Sequence, residues 1–288
     1  MESREGNIGE VDFYFSVVPT AEKPLLEGSG TLGGVTIIMG RPGTGKSLFL
    51  RYLFALLTED YELAMRTSEQ VLDNGGWAKL RVGNILLDCS KSDEGEAGCS
   101  ITPHPREEAY LFYEGVLFTL KHRLMSPESA EVANVVKLLE RLARYKEGRW
   151  RYDISYSDSY KKLYERVDGR LIDLAFASAA VVTVGVLERA LRLDAWLLLD
   201  GTLDYLFPEE VLYLAGVAAS GSARIVVATH SPWVLDAFRF NGAVAEHLHM
   251  PVMQRSVRAY EFTGEVEEIG SAAKTHGDVF EKLYVLCG

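Results

Sequence analysis

Residues 40–47 read GRPGTGKS, directly after the apolar run VTIIM (Val35–Met39) and at the head of the apolar stretch KSLFLRYLFALLT (Lys46–Thr58). A loop of this pattern between a strand and a helix makes specific demands on its residues. Glycines let successive backbone N–H groups curl around an anion, and the following helix aims the positive end of its dipole at the same place. Gly40, Arg41, Pro42, Gly43, Thr44, Gly45, Lys46 and Ser47 then form a phosphate cradle. In that cradle the Lys46 ammonium neutralises β and γ phosphates, and the Ser47 hydroxyl is placed to ligate Mg²⁺.

The rest of the 288 residues narrows the setting. With 48% hydrophobic and 25% charged residues the chain has globular composition, which excludes a disordered tail, a collagen-like repeat and a disulfide scaffold. Its net charge of −11 argues against coating nucleic acid over the whole surface, though a local basic face is still compatible with it. Cys89, Cys99 and Cys287 are an odd number without metal-ligand spacing, so free thiols and a reducing, cytoplasmic setting are expected, with a loop closed by Cys89 and Cys99 as the alternative. No export signal opens the sequence. The longest uncharged run, Leu174 to Leu187, falls short of the ~20 residues a membrane span needs and reads as buried core.

Periodicity predicts strands at Val11–Val18, Val35–Met39, Asn84–Cys89, Ala195–Asp200, Ala223–Thr229, Val244–Met250 and Val257–Phe262. Helices are expected at Lys46–Thr58, Glu107–Met125, Pro127–Lys146, Pro208–Ala219, Pro232–Phe238 and Asp278–Leu286. Apolar strands alternating with helices predict one α/β domain over residues 1–288, with a mostly parallel sheet and an N-terminal β segment. An acidic loop at Ser90–Gly98 opens a short helical insertion at about 90–170. Between Lys137 and Arg170 ten basic residues outnumber six acids, with Trp150, Tyr152, Tyr156, Tyr160 and Tyr164 interleaved. Such a segment suits a nucleic-acid backbone with stacked bases. The preferred reading is a helical tyrosine face packed on the core, with solvated charges around it. His247 and His249 fall on one face of an expected strand, with no third metal ligand in view.

Two further motifs sit where α/β sheets bind ligands, at strand C-termini. Asp200 follows four apolar residues (Trp196–Leu199) and is placed to support a nucleotide-bound Mg²⁺; His230 follows ARIVVAT and is placed to reach a γ-phosphate. Together GRPGTGKS, LLLDGTLDYLFPEE and ATHSPWVLDAF resemble the ABC-type ATPase heads of the SMC/RecF/OLD group, over roughly residues 10–60 and 170–240. The resemblance implies a P-loop NTPase core that binds ATP and Mg²⁺ through Lys46, Ser47 and Asp200, with Asp200 and His230 serving catalysis. It also implies an adenine-stacking aromatic, assigned to Tyr14 over Phe13 and Phe15, and assembly as a homodimer or with a partner protein.

The departures from that pattern matter as much. The family's catalytic glutamate falls on Gly201, which cannot act as a base; Asp204, Glu209 and Glu210 are the nearest substitutes. The dimer-gripping signature segment reads FASAA (Phe176–Ala180), with only Ser178 as a remnant, and neither Gln70 nor Gln254 makes a convincing glutamine loop. Slow or partner-dependent hydrolysis is therefore expected. A non-catalytic nucleotide sensor is the alternative. The missing glutamine loop and signature disfavour a transporter ATPase, and the THSP segment (Thr229–Pro232) disfavours a RecA- or KaiC-like enzyme.

Overall fold

The computed structural model describes residues 10–20, 24–103, 107–113, 137–138, 141, 150–157, 162–173, 177–253 and 255–269. Three sheets are present among them. The first is antiparallel, in the order β2 (Leu26–Leu32), β1 (Val11–Val18), β4 (Trp77–Val82), β5 (Ile85–Lys91), β6 (Ala97–Thr102). The central sheet runs β14 (Val266–Glu268), β13 (Val257–Phe262), β3 (Val35–Met39), β12 (Arg224–Thr229), β11 (Trp196–Asp200), β7 (Ala109–Tyr113). The third comprises β10 (Arg170–Asp173), β9 (Lys162–Val167) and β8 (Ile154–Ser157).

Strands β13, β3, β12, β11 and β7 are parallel, whereas β14 and every pair in the other two sheets are antiparallel. The molecule is therefore α/β with mixed pairing, and the expectation of a mostly parallel sheet is corrected. The hairpins β4–β5, β9–β10 and β13–β14 join neighbouring strands by short turns, a linkage that antiparallel pairs allow and parallel pairs do not.

Alternation along the central strands divides the core in two. Val35, Ile37, Leu197, Leu199, Ile225 and Val227 face one cluster, with α3 (Ala179–Ala190), α4 (Pro208–Ser220) and α5 (Pro232–Arg239). Ile38, Trp196, Leu198, Val226 and Ala228 face the other, with α1 (Lys46–Thr58). Helix α1 is apolar on several faces because it lies between two sheets. Phe49 meets Phe13 and Phe15 of β1 on one side (ring centroids 5.3 and 5.2 Å) and Phe262 of β13 on the other (5.7 Å). Helix α2 (Tyr61–Val71) follows at once, capped by the Asp60 carboxylate on the Leu63 N–H.

Other expectations change here. Residues expected to open a helix at Glu107–Met125 instead form β7, whose AYLFY residues are paired to β11 with four of the five buried. The described part of 90–170 is largely strand, and most residues of the expected helices there lie outside the described residues; of the Pro127–Lys146 helix only residues 137, 138 and 141 are described, in helical conformation. Asp278–Leu286 lies outside the described residues. Val244–Met250 is not a strand: Asn241–His247 forms helix α6, and His249 sits in a turn at φ 55°, so the two histidines share no strand face. Cys89 and Cys99 are not free thiols but a disulfide, brought opposite each other by the β5–β6 register. The spacing of ten residues hides a hairpin that only the pairing reveals. No helix among the described residues is long and apolar enough to cross a membrane.

Candidate functional site

The C-terminal ends of β3, β11 and β12 lie side by side, because these strands are adjacent and in parallel register. Each ends at a sequence motif. After β3 the chain enters the Gly40–Gly45 loop, where Thr44 donates its hydroxyl to the Arg41 carbonyl (2.9 Å) and pins the turn. Gly43 and Gly45 take φ values of 83° and 92°, a region that side-chain-bearing residues avoid. Gly45 is also the N-cap of α1 and has no side chain to satisfy the helix's first N–H groups. They are left for an external acceptor. Pro42 and Gly43 are exposed at the loop tip, and Gly40 is buried at its base.

Lys46 reaches back over the loop and donates to the carbonyls of Gly40 (2.5 Å) and Arg41 (2.9 Å). Burial pushes the Lys46 ammonium below its ordinary pKa, and the nearby charges of Asp200 and Asp204 only partly oppose this. A cation held by neutral carbonyls is under-compensated, which is the state that an anionic ligand relieves. The Ser47 hydroxyl donates to Asp200 Oδ1 across the sheet (2.8 Å). Burial holds the Asp200 carboxyl above the usual carboxylate range, against the pull of Ser47, Arg51 and Lys46.

At the end of β12, Thr229 donates its hydroxyl to Asp204, and His230 brings Nδ1 to Asp204 Oδ2 (2.9 Å). The tip of β12 is thus tied to the turn that follows β11. Pro42, Gly43, Gly45, Lys46, Ser47, Asp200, Gly201, Asp204, Thr229 and His230 line one cleft of about 730 Å³. Leu25, Leu48, Val71 and Tyr113 give it an apolar flank. The Gly40–Ser47 loop thus shares this space with two motifs that lie more than 150 residues further along the chain.

Tyr14 is not part of that lining. Alternation on β1 buries Phe13 and Phe15 against α1 and turns Tyr14 outward, where it donates to Glu27 (2.8 Å). Ser178, the signature remnant, is the N-cap of α3 and accepts from the Val181 N–H (3.2 Å). Among the substitutes for the missing glutamate, Glu209 is exposed beside Arg151, and Glu210 accepts from Phe207 N–H at the head of α4. Only Asp204 lines the cleft. Leu25, Val71 and Tyr113 went unnoticed in the sequence, since single apolar residues in loops and at element ends carry no pattern. Of the basic aromatic segment, Trp150 lies under the chain's own Arg189 and Arg192, and Tyr152 donates to Glu210. Both rings are engaged internally rather than displayed.

The donor set fits the groups that the motifs imply. Backbone N–H groups and an under-compensated ammonium suit phosphates, while a hydroxyl and a buried carboxylate in contact supply the hard oxygens a small dication takes. The strand order and the cleft resemble the fold of ABC-type P-loop ATPase heads. Consistently, the chain is similar to the SMC head solved with the C-winged helix domain of ScpA, with a TM-score of 0.51 at 10% identity over 91% of this chain and 98% of that one. It is also similar to the recombination mediator protein RecF-ATPrS of the RecFOR pathway, at TM-score 0.48, 10% identity and 90% and 97% coverage. A bacterial Atm1-family ABC exporter with ATP bound gives a TM-score of 0.42 at 14% identity, over 95% of this chain and 40% of the exporter chain. No protein-family model and no curated protein sequence matches the chain. At such identities the likeness to the SMC head establishes the fold.

Proposed function

We propose that this chain is an ATP-binding ABC-type ATPase head that hydrolyses ATP slowly or under the control of a partner. The observation that carries the reading is the convergence of Lys46, Ser47, Asp200 and His230 on one cleft at the N-terminus of α1. The first-turn N–H groups of α1 and the Gly40–Gly45 loop hold the phosphates, and Lys46 exchanges its carbonyl contacts for phosphate oxygens. Ser47 and Asp200 would hold Mg²⁺, which supplies charge neutralisation on the phosphates when bound. His230, at the rim, faces the terminal phosphate across the space for the attacking water. The adenine packs on the apolar flank of Leu25 and Val71, since Tyr14 is directed elsewhere.

A second reading, a nucleotide sensor without turnover, is favoured by Gly201 at the position of the expected glutamate. Assembly as a homodimer or with a partner protein belongs to either reading; the SMC head among the similar structures is bound to a winged-helix domain.

Calorimetry with Mg·ATP tests the proposal. The wild type is expected to bind, and Lys46→Ala to bind roughly a hundredfold more weakly, on the order of 2–3 kcal/mol. Absence of uptake by the wild type overturns both readings. Binding without phosphate release selects the sensor.

A further inference from the structure

We propose that Asp204 and His230 act as a water-activating pair that takes over the task of the glutamate replaced by Gly201. The inference rests on the ATPase reading above. The turn after β11 is what makes the pair. Gly201, at φ 65°, bends the chain, and the Asp204 N–H donates back to the Gly201 carbonyl (3.2 Å), which carries Asp204 over the end of β12. There its side chain is 8% exposed and surrounded by donors. One carboxylate oxygen accepts the Thr229 hydroxyl; the other accepts His230 Nδ1 (2.9 Å) and the His230 N–H (3.4 Å).

This arrangement fixes the histidine tautomer. A carboxylate accepts only, so the shared proton sits on Nδ1 and Nε2 is left with its lone pair. The imidazole is 61% exposed and lines the cleft, and no hydrogen bond to Nε2 is formed among the described residues. The other carboxylates are committed: Asp200 to Ser47, Glu210 to the head of α4, and Glu209 outside the cleft. His230 is therefore the acceptor that the cleft offers to a water at the terminal phosphate.

In the step itself the water oxygen bonds to the γ-phosphorus while the bond from that phosphorus to the β–γ bridging oxygen breaks. The bridging oxygen keeps the electron pair and leaves as part of ADP. The water proton passes to Nε2 of His230, and the Asp204 carboxylate holds the imidazolium until the proton is released to solvent. His230 is the catalytic residue and Asp204 a positioning residue that acts through it.

The test compares wild type, Asp204→Asn, His230→Ala and the double variant, by calorimetric ATP affinity and by steady-state phosphate release. Asn keeps the shape of Asp204, but its amide, turned to the ring, donates to Nδ1 and moves the ring proton to Nε2. Each single variant is expected to keep ATP affinity within about twofold and to lose about a hundredfold in kcat. The double variant is expected to be no slower than His230→Ala, because residues acting as one unit are non-additive.

Wild-type kcat in either single variant overturns the proposal, as does a loss confined to KM or a loss at Asp204 that adds in full to that at His230. If Asp204→Asn does not fold, the exposed His230 carries the test alone: wild-type kcat in His230→Ala overturns it, and lost kcat at unchanged affinity supports it. A wild type that binds ATP but releases no phosphate overturns this inference and leaves the binding site standing. A wild type that binds no ATP overturns the reading beneath it.

Discussion

Gly201 occupies a place where an acidic side chain has a conformational obstacle. At φ 65° an L-residue is in the left-handed region, which costs about 1–2 kcal/mol. Space is not the difficulty, since a Cβ there would have Asp204 Oδ2 as its nearest neighbour, at 3.9 Å. Gly201→Ala should therefore lower stability by about 1 kcal/mol, read as a lower denaturant midpoint at unchanged m-value, and Gly201→Asn by less.

A second residue-scale prediction concerns Glu188, whose side chain is 1% exposed. It accepts from Arg151 N–H (2.9 Å), Tyr213 hydroxyl (2.8 Å) and the Arg189 guanidinium (2.9 Å). Burial outweighs these donors and holds its carboxyl above the ordinary 4.5. A raised acid favours the folded state most below its unfolded value, and that contribution fades as pH rises through the folded one. The stability of wild type relative to Glu188→Gln should accordingly shrink as pH is raised from the ordinary carboxylate value of 4.5 upward. Urea titrations across that range check the sign, and a difference that grows contradicts it.

At the scale of elements, the same residue types serve different ends depending on where a helix begins. Helix α1 opens on Gly45 without a side-chain cap, and its bare N–H groups face the cleft. Helix α3 opens on Ser178, whose hydroxyl takes the Val181 N–H. Ser178→Ala should cost about 1 kcal/mol in thermal or chemical denaturation, and Ser178→Asp should restore most of it. Strand β7 shows how pairing overrides local pattern. AYLFY reads as part of an apolar helix until β11 offers it a parallel ladder, with Tyr110 beside Leu197 and Phe112 beside Leu199. The disulfide is likewise a matter of register, since Cys89 and Cys99 oppose each other only when β5 and β6 pair.

Across the whole molecule, α1 is the member that both the first and the central sheet grip, so the Gly40–Gly45 loop that precedes it is anchored by packing on two sides. Phe49 stands at the centre of that grip, fully buried among Phe13, Phe15 and Phe262. Phe49→Ala should destabilise by about 3–5 kcal/mol, whereas Phe207→Ala, at a position 72% exposed, should change stability little. Equilibrium unfolding of the two variants side by side checks the contrast.

Short-range chemistry is what the sequence by itself determined. The Gly40–Gly45 loop, the strands Val11–Val18 and Val35–Met39 and the helix Lys46–Thr58 are specified by residues within a few positions of one another, through glycine geometry and apolar periodicity, and these elements stand where the sequence places them. Asp200 and His230 were visible because an apolar strand followed by a polar residue is itself a local signal. The tertiary structure alone decided which strands are antiparallel, that Ala109–Tyr113 is a strand, that Cys89 meets Cys99, and that Asp204 rather than Glu209 or Glu210 reaches His230. Each of these is set by strand pairing and turn direction, which bring partners together in ways that no local run of residues encodes.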